Sequence, residues 1–230
     1  MRFTSGHPSL KPIVGLSILV VLLAVDFFFL AFHLLRETNV LSLSDVWSIA
    51  RDSSYAEWFQ YVKLGYVAIA SFYLYSLFRR WFYCAFGVLF TLILADDALV
   101  LHEGIGQSLA ASLNVSEPVA EVLFVGFACL PPLLFILYEF VRFRSIYERK
   151  FAFEMIVALS VFALLGVGLD FVGDQFSVEA SSTRAILDAI EDFGEMVVLS
   201  AIVWLTYRNT QMLDWSKPKA IWMDKAQLLE

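Results

Sequence analysis

Leu187–Trp204, LDAIEDFGEMVVLSAIVW, opens with Asp188, Glu191, Asp192 and Glu195 and then turns apolar. At about 3.6 residues per turn the four carboxylates fall within roughly a third of a helix circumference. A helix that crosses lipid does not carry such a stripe without cause, because each charge at the bilayer centre costs ~2.5–3.5 kcal/mol. The helix dipole favours acids in a first turn and so accounts for Asp188 and Glu191, but not for Glu195 two turns in. This stretch is expected to be a membrane helix with a polar task.

The rest of the chain supports that setting. Its 230 residues are 60% hydrophobic and 17% charged, which belongs to a multi-span membrane protein rather than a soluble domain. Six apolar stretches reach the ~20 residues a span needs: 13–35, 58–78, 81–101, 118–141, 151–172 and 185–207. The expected fold is all-α, a polytopic six-transmembrane-helix bundle over 13–207, with tails at 1–12 and 208–230. Arg2 and Lys11 precede the first run as in a signal peptide, but the run is long and lacks a small-x-small cleavage site, so it reads as a retained helix. Cys84 and Cys129 lack the spacing of a metal knuckle or redox pair and read as packing residues.

The basic residues set the orientation. Twelve of the 16 Lys and Arg fall in the tails and in the linkers after spans two and four, leaving Arg36, Arg51, Lys63 and Arg184 on the other side. By the positive-inside rule both termini are cytoplasmic. Of the 23 acids, 17 lie on the non-cytoplasmic half, which nets −13. Acids contribute little to orientation, so this excess needs its own cause.

Five of the six spans bring carboxylates to that outer leaflet. Asp26 and His33 share a face of span one. Ser44-Asp45 reads as the start of a short amphipathic helix and Ser54-x-x-Glu57 as a capping box opening span two. Lys63 lies inside that span. Span three ends in Asp96-Asp97 and His102-Glu103, with Asp96 and Glu103 on one face and His102 turned about 100° away. Gly104-Ile105-Gly106 is expected to end the helix and Gln107–Val115 to be interfacial. Ser116-Glu117-Pro118 starts span four, Glu121 follows one turn below Glu117, and Pro131-Pro132 predict a kink. Asp170 and Asp174 close span five at a helix C-terminus, where acids favour a cation nearby.

Counted from the outer ends, Asp26, Lys63, Asp96 and Glu195 lie ~7–14 Å deep. A carboxylate at that depth protonates or finds a partner. The expected site is a cation- or proton-binding pocket of Asp26, Asp96, His102, Glu103, Asp170, Asp174, Asp188, Glu191 and Glu195, with Lys63 as internal counter-ion. Oxygen ligands suit Ca²⁺, Mg²⁺ or Mn²⁺, and with His102 added Zn²⁺ or Fe²⁺ also fit; the sequence does not distinguish these divalent ions.

Metal transport or sensing is therefore the first expectation. A membrane-embedded, metal-dependent, hydrolase-like enzyme acting on a lipid or peptide is the second. The multi-histidine signature of alkaline-ceramidase-type hydrolases is missing: of three histidines His7 is in a tail, and no HxxxH or HExxH occurs. A haem between His33 and His102 is disfavoured by the surrounding acids. The third expectation is a non-catalytic membrane subunit or scaffold. Membrane lipids are the expected surroundings, in a bacterial inner membrane or another cytoplasm-facing membrane. An acidic outer face and scattered bases argue against nucleic acid.

Overall fold

The computed structural model describes residues 11–38, 40–42, 44–51, 53–142, 146–169 and 181–212. These residues form seven α-helices and no strand: α1 (Lys11–Glu37), α2 (Tyr55–Phe78), α3 (Trp81–Leu99), α4 (Leu101–Leu113), α5 (Glu117–Arg142), α6 (Ile146–Ala163) and α7 (Ser181–Met212). A single 3-10 turn, Asp45–Trp47, lies between α1 and α2, and α6 runs on into a π-helical turn, Leu164–Gly168. Four of the helices contain segments long and apolar enough to cross a membrane: Gly15–Glu37, Tyr55–Phe78, Trp81–Leu99 and Glu117–Arg142. The stretches expected to be the fifth and sixth spans, 151–172 and 185–207, fall on α6 with its π turn and on α7, neither of which is among these four. Residues 170–172 lie outside the described residues.

Local chemistry fixes the helix ends. Ser54 is extended and its Oγ accepts the Glu57 N–H at 3.2 Å, while Glu57 Oε2 reaches back to the Ser53 N–H. This is capping-box logic with the return bond displaced by one residue. Arg79 closes α2 in the left-handed conformation, its N–H bonding the Tyr75 carbonyl at 2.8 Å. Ser44 makes no side-chain cap, and the expected amphipathic helix shrinks to one 3-10 turn. The Asp45 carboxylate, which would favour a helix start, is engaged instead by Arg36 and Arg51.

The α3–α4 corner departs from the sequence expectation. The break falls at Val100 (φ 51°, ψ 44°), whose N–H turns back to the Asp96 and Asp97 carbonyls. Gly104 and Gly106 lie inside α4 rather than ending a helix. Gly106 is there for contact: a Cβ on it would collide with Glu121 Cγ of α5. Pro131 and Pro132 both sit within α5, which runs unbroken from Glu117 to Arg142.

One core gathers Leu64, Val67 and Leu74 of α2, Phe82, Phe86 and Phe90 of α3, Ile136 of α5, Phe151 and Met155 of α6, and Leu199 and Ile202 of α7. Phe82 meets Phe86 edge-on at 4.9 Å between centroids, and Phe151 at 6.1 Å, an arrangement aromatic quadrupoles favour. Gly87 lets α3 approach Phe72 of α2 more closely than any side chain allows, the small-residue device of packed membrane helices. A smaller cluster, Phe29, Ile49, Ala56 and Met196, lies under the 3-10 turn. The helix α7 packs against α1, α2 and α6, and its Met196, Leu199, Ser200 and Ile202 are buried there. Cys84 and Cys129 are free thiols, both half-buried.

Candidate functional site

The carboxylate of Asp26 is fully enclosed where α1 meets α2 and α7. Lys63 of α2 donates from Nζ to Asp26 Oδ1 at 2.5 Å and to the Met196 carbonyl at 2.9 Å. Ser200 of α7 donates from Oγ to the second oxygen, Oδ2, at 2.6 Å. Asp26 is 0%, Ser200 0% and Lys63 2% exposed. The Lys63 ammonium also stands 4.5 Å from the centroid of the Phe59 ring, whose face attracts a cation. Placement follows from helical spacing: Phe59 lies one turn before Lys63, and Met196 one turn before Ser200, so each helix offers two groups on one face.

Removing two charges from water costs several kcal/mol per ion, and their mutual attraction offsets this only with good geometry and further hydrogen bonds. Here both carboxylate oxygens are bonded and the ammonium has a second acceptor, so the centre is satisfied. It is also closed. A metal ion approaching Asp26 meets oxygens already held by an internal cation and a hydroxyl.

Asp96 and His102 form a second contact. The left-handed turn at Val100 swings α4 back, and His102 Nδ1 comes 3.3 Å from Asp96 Oδ2. The expected 100° divergence assumed one unbroken helix, and the break removes it. The contact is one of charge: among the described residues His102 Nδ1 and Asp96 Oδ1 are buried without a hydrogen-bond partner. The Asp96 carboxylate, 3.3 Å from the ring, holds the His102 pKa above its ordinary 6.5 against the opposing effect of burial; the Glu121 and Glu103 charges add to the rise. Nearby, the Tyr61 hydroxyl reaches Glu57 Oε1 and the Asp97 carbonyl, the latter at 3.2 Å. Glu103 itself is exposed.

Glu195 belongs to a third neighbourhood. Its carboxylate lies against the π turn, where a Cβ on Gly166 would strike Oε1, and one residue earlier Gly194 admits Leu165. Single π turns inside helices often mark functional sites. Glu191 and Glu195 are both half-buried. Asp170 and Asp174 lie outside the described residues. Asp188 is placed by its backbone in α7, and its side chain is outside the description too.

Thus the expected carboxylates appear in distinct contacts: Asp26 with Lys63, Asp96 with His102, Glu195 with Gly166. Among the described residues, no three His, Cys, Asp or Glu side chains are arranged to hold a metal ion. Sequence reasoning missed Ser200, a lone hydroxyl in an apolar run one turn from Met196, and the π turn, for which Gly166 and Gly168 were the visible signal.

Residues 14–209 match the family model described as "Domain of unknown function (DUF8692)", a range that begins within α1 and ends within α7. No curated protein matches the chain. No solved structure matches it.

Proposed function

The chain belongs to the DUF8692 family, and from the chemistry of its buried centre we propose that it is a proton-responsive integral membrane protein, a carrier or sensor. In this reading it has six spans with both termini cytoplasmic, and protonation at Asp26–Lys63 biases the packing of α1 and α2 against α7. The observation that carries the reading is the fully enclosed Asp26–Lys63 pair, bridged to α7 through Ser200 and the Met196 carbonyl. Ionisable groups within a membrane bundle are functional by default, because lipid makes them expensive to keep.

The chemistry needs no other group. A proton delivered to Asp26 cancels the carboxylate charge and frees Lys63, which keeps only the Met196 carbonyl and the Phe59 face. The centre gains one positive charge and loses the attraction joining α1 to α2. Loss of the proton restores it. Such a two-state contact is what a switch or an alternating carrier requires.

The metal-transport expectation gains less support, since Lys63 and Ser200 occupy both Asp26 oxygens. The hydrolase expectation requires a metal-holding set, which the described residues do not contain. Proton uptake into proteoliposomes under an imposed potential tests the carrier form. Wild-type protein is expected to acidify the lumen above the protein-free leak, and Asp26→Asn to return it to the leak. Elemental analysis of protein purified without chelator, if it returned a stoichiometric divalent metal, would favour the metal reading instead.

A further inference from the structure

Where α1 ends, a cavity of about 580 Å³ lies between α1, residues 48–51 and the first half of α7. Its size is that of a site for one small ligand. Leu30 and Leu34 of α1 and Ile190 and Phe193 of α7 give it an apolar wall, while Arg36, Arg51 and one acid, Glu37, supply charges to its lining. The two guanidiniums are held side by side. Arg36 bonds one oxygen of Asp45 at 2.7 Å, and Arg51 takes the other. Arg36 also pairs with Glu37. A guanidinium carries five N–H donors, so both retain donors after these bonds, and Arg51 remains more than half exposed.

Asp45 and Glu37 balance the two guanidiniums in charge and leave their remaining N–H donors to the cavity. The sequence gives this end of the bundle four bases and 17 acids, yet two of the four bases meet at one apolar cavity. A free inorganic anion would not use the apolar wall, and a neutral hydrocarbon would not use the guanidiniums. Fork-shaped guanidiniums suit carboxylate and phosphate, and the position beside the end of a membrane-length helix suits a molecule anchored by its chain.

We propose that this cavity binds a single-chain anionic amphiphile, its acyl chain along Leu30, Leu34, Ile190 and Phe193 and its phosphate or carboxylate head on Arg36 and Arg51. The site is separate from the Asp26–Lys63 centre and does not depend on proton chemistry there.

Native mass spectrometry of the full chain in detergent, stripped of lipid, tests this with three probes: oleoyl lysophosphatidate, oleyl alcohol and inorganic phosphate. The expected result is retention of lysophosphatidate at least tenfold above oleyl alcohol, with no retention of phosphate. Arg36→Gln with Arg51→Gln should lower lysophosphatidate to the alcohol's level, and Ile190→Trp should displace it by filling the apolar wall. Equal retention of the two oleyl compounds, retention of phosphate alone, or no retention of lysophosphatidate overturns the proposal. Indifference to the double arginine change overturns it as well. The probe comparison on the unaltered chain stands even if a variant fails to fold.

Discussion

At the scale of single residues, Asp26 and Lys63 have exchanged water for a few fixed partners, so removing either leaves the other buried and unsatisfied. Asp26→Leu or Lys63→Met alone is expected to cost about 3–5 kcal/mol, whereas the two together should recover most of the loss. Unfolding in detergent measures this as a double-mutant cycle; additive losses would show that the two side chains are not coupled. His102 gives a pH dependence of definite sign. Its pKa is raised above 6.5 in the folded chain by Asp96, so the folded state binds the proton more tightly than the unfolded one. The resulting stabilisation is complete below pH 6.5 and disappears as pH rises through the raised value. Thermal unfolding of the wild type should fall across that window relative to His102→Gln, and parallel curves would contradict the assignment. That Asp26 and Lys63 stand inside apolar runs is legible in the sequence. Their pairing with each other and with Ser200 is not, because it depends on which helices are neighbours and on their rotation.

At the scale of elements, the α3–α4 corner shows where periodicity fails. Nothing in Ala95–Glu103 announces a break at Val100, a β-branched residue in a conformation that ordinarily disfavours it, whereas Gly104 and Gly106 suggest one falsely. The structure assigns the glycines different roles. Gly104 has open space where a Cβ would be and Gly106 has Glu121. Gly104→Ala is therefore expected to stabilise by up to ~1 kcal/mol through helix propensity, and Gly106→Ala to destabilise by roughly 1–3 kcal/mol through overpacking of α4 on α5. Val100→Gly should relieve the left-handed strain and add about 1 kcal/mol. Denaturation of the three variants under one condition decides the matter; equal effects from the two alanine substitutions would remove the contact argument. The Ser54–Glu57 cap was legible because it is written in four consecutive residues.

At the scale of the whole molecule, composition and run length carried the all-helical fold and its membrane character, since lipid permits few solutions. They do not say which partners each carboxylate meets (among the described residues, Asp26 meets Lys63, Asp96 meets His102 and Glu195 meets Gly166), because charge counts say which side of a bundle a group occupies and not which neighbour it has. The expectation that both termini are cytoplasmic rests on the distribution of bases between the linkers. Reporter fusions after Arg80, at residue 150 and after Glu230 should all report the cytoplasm, and one at Ala50 the opposite side; a C-terminal reporter facing outward would contradict the topology. The function proposed for this bundle turns on a proton at one carboxylate, Asp26. The measurement closest to it is pH-difference infrared spectroscopy of the chain in lipid. A protonated-carboxyl stretch is expected to grow on acidification in the wild type and to be missing from both Asp26→Asn and the Asp26→Leu, Lys63→Met double variant. A carboxyl difference spectrum identical in all three would contradict that reading.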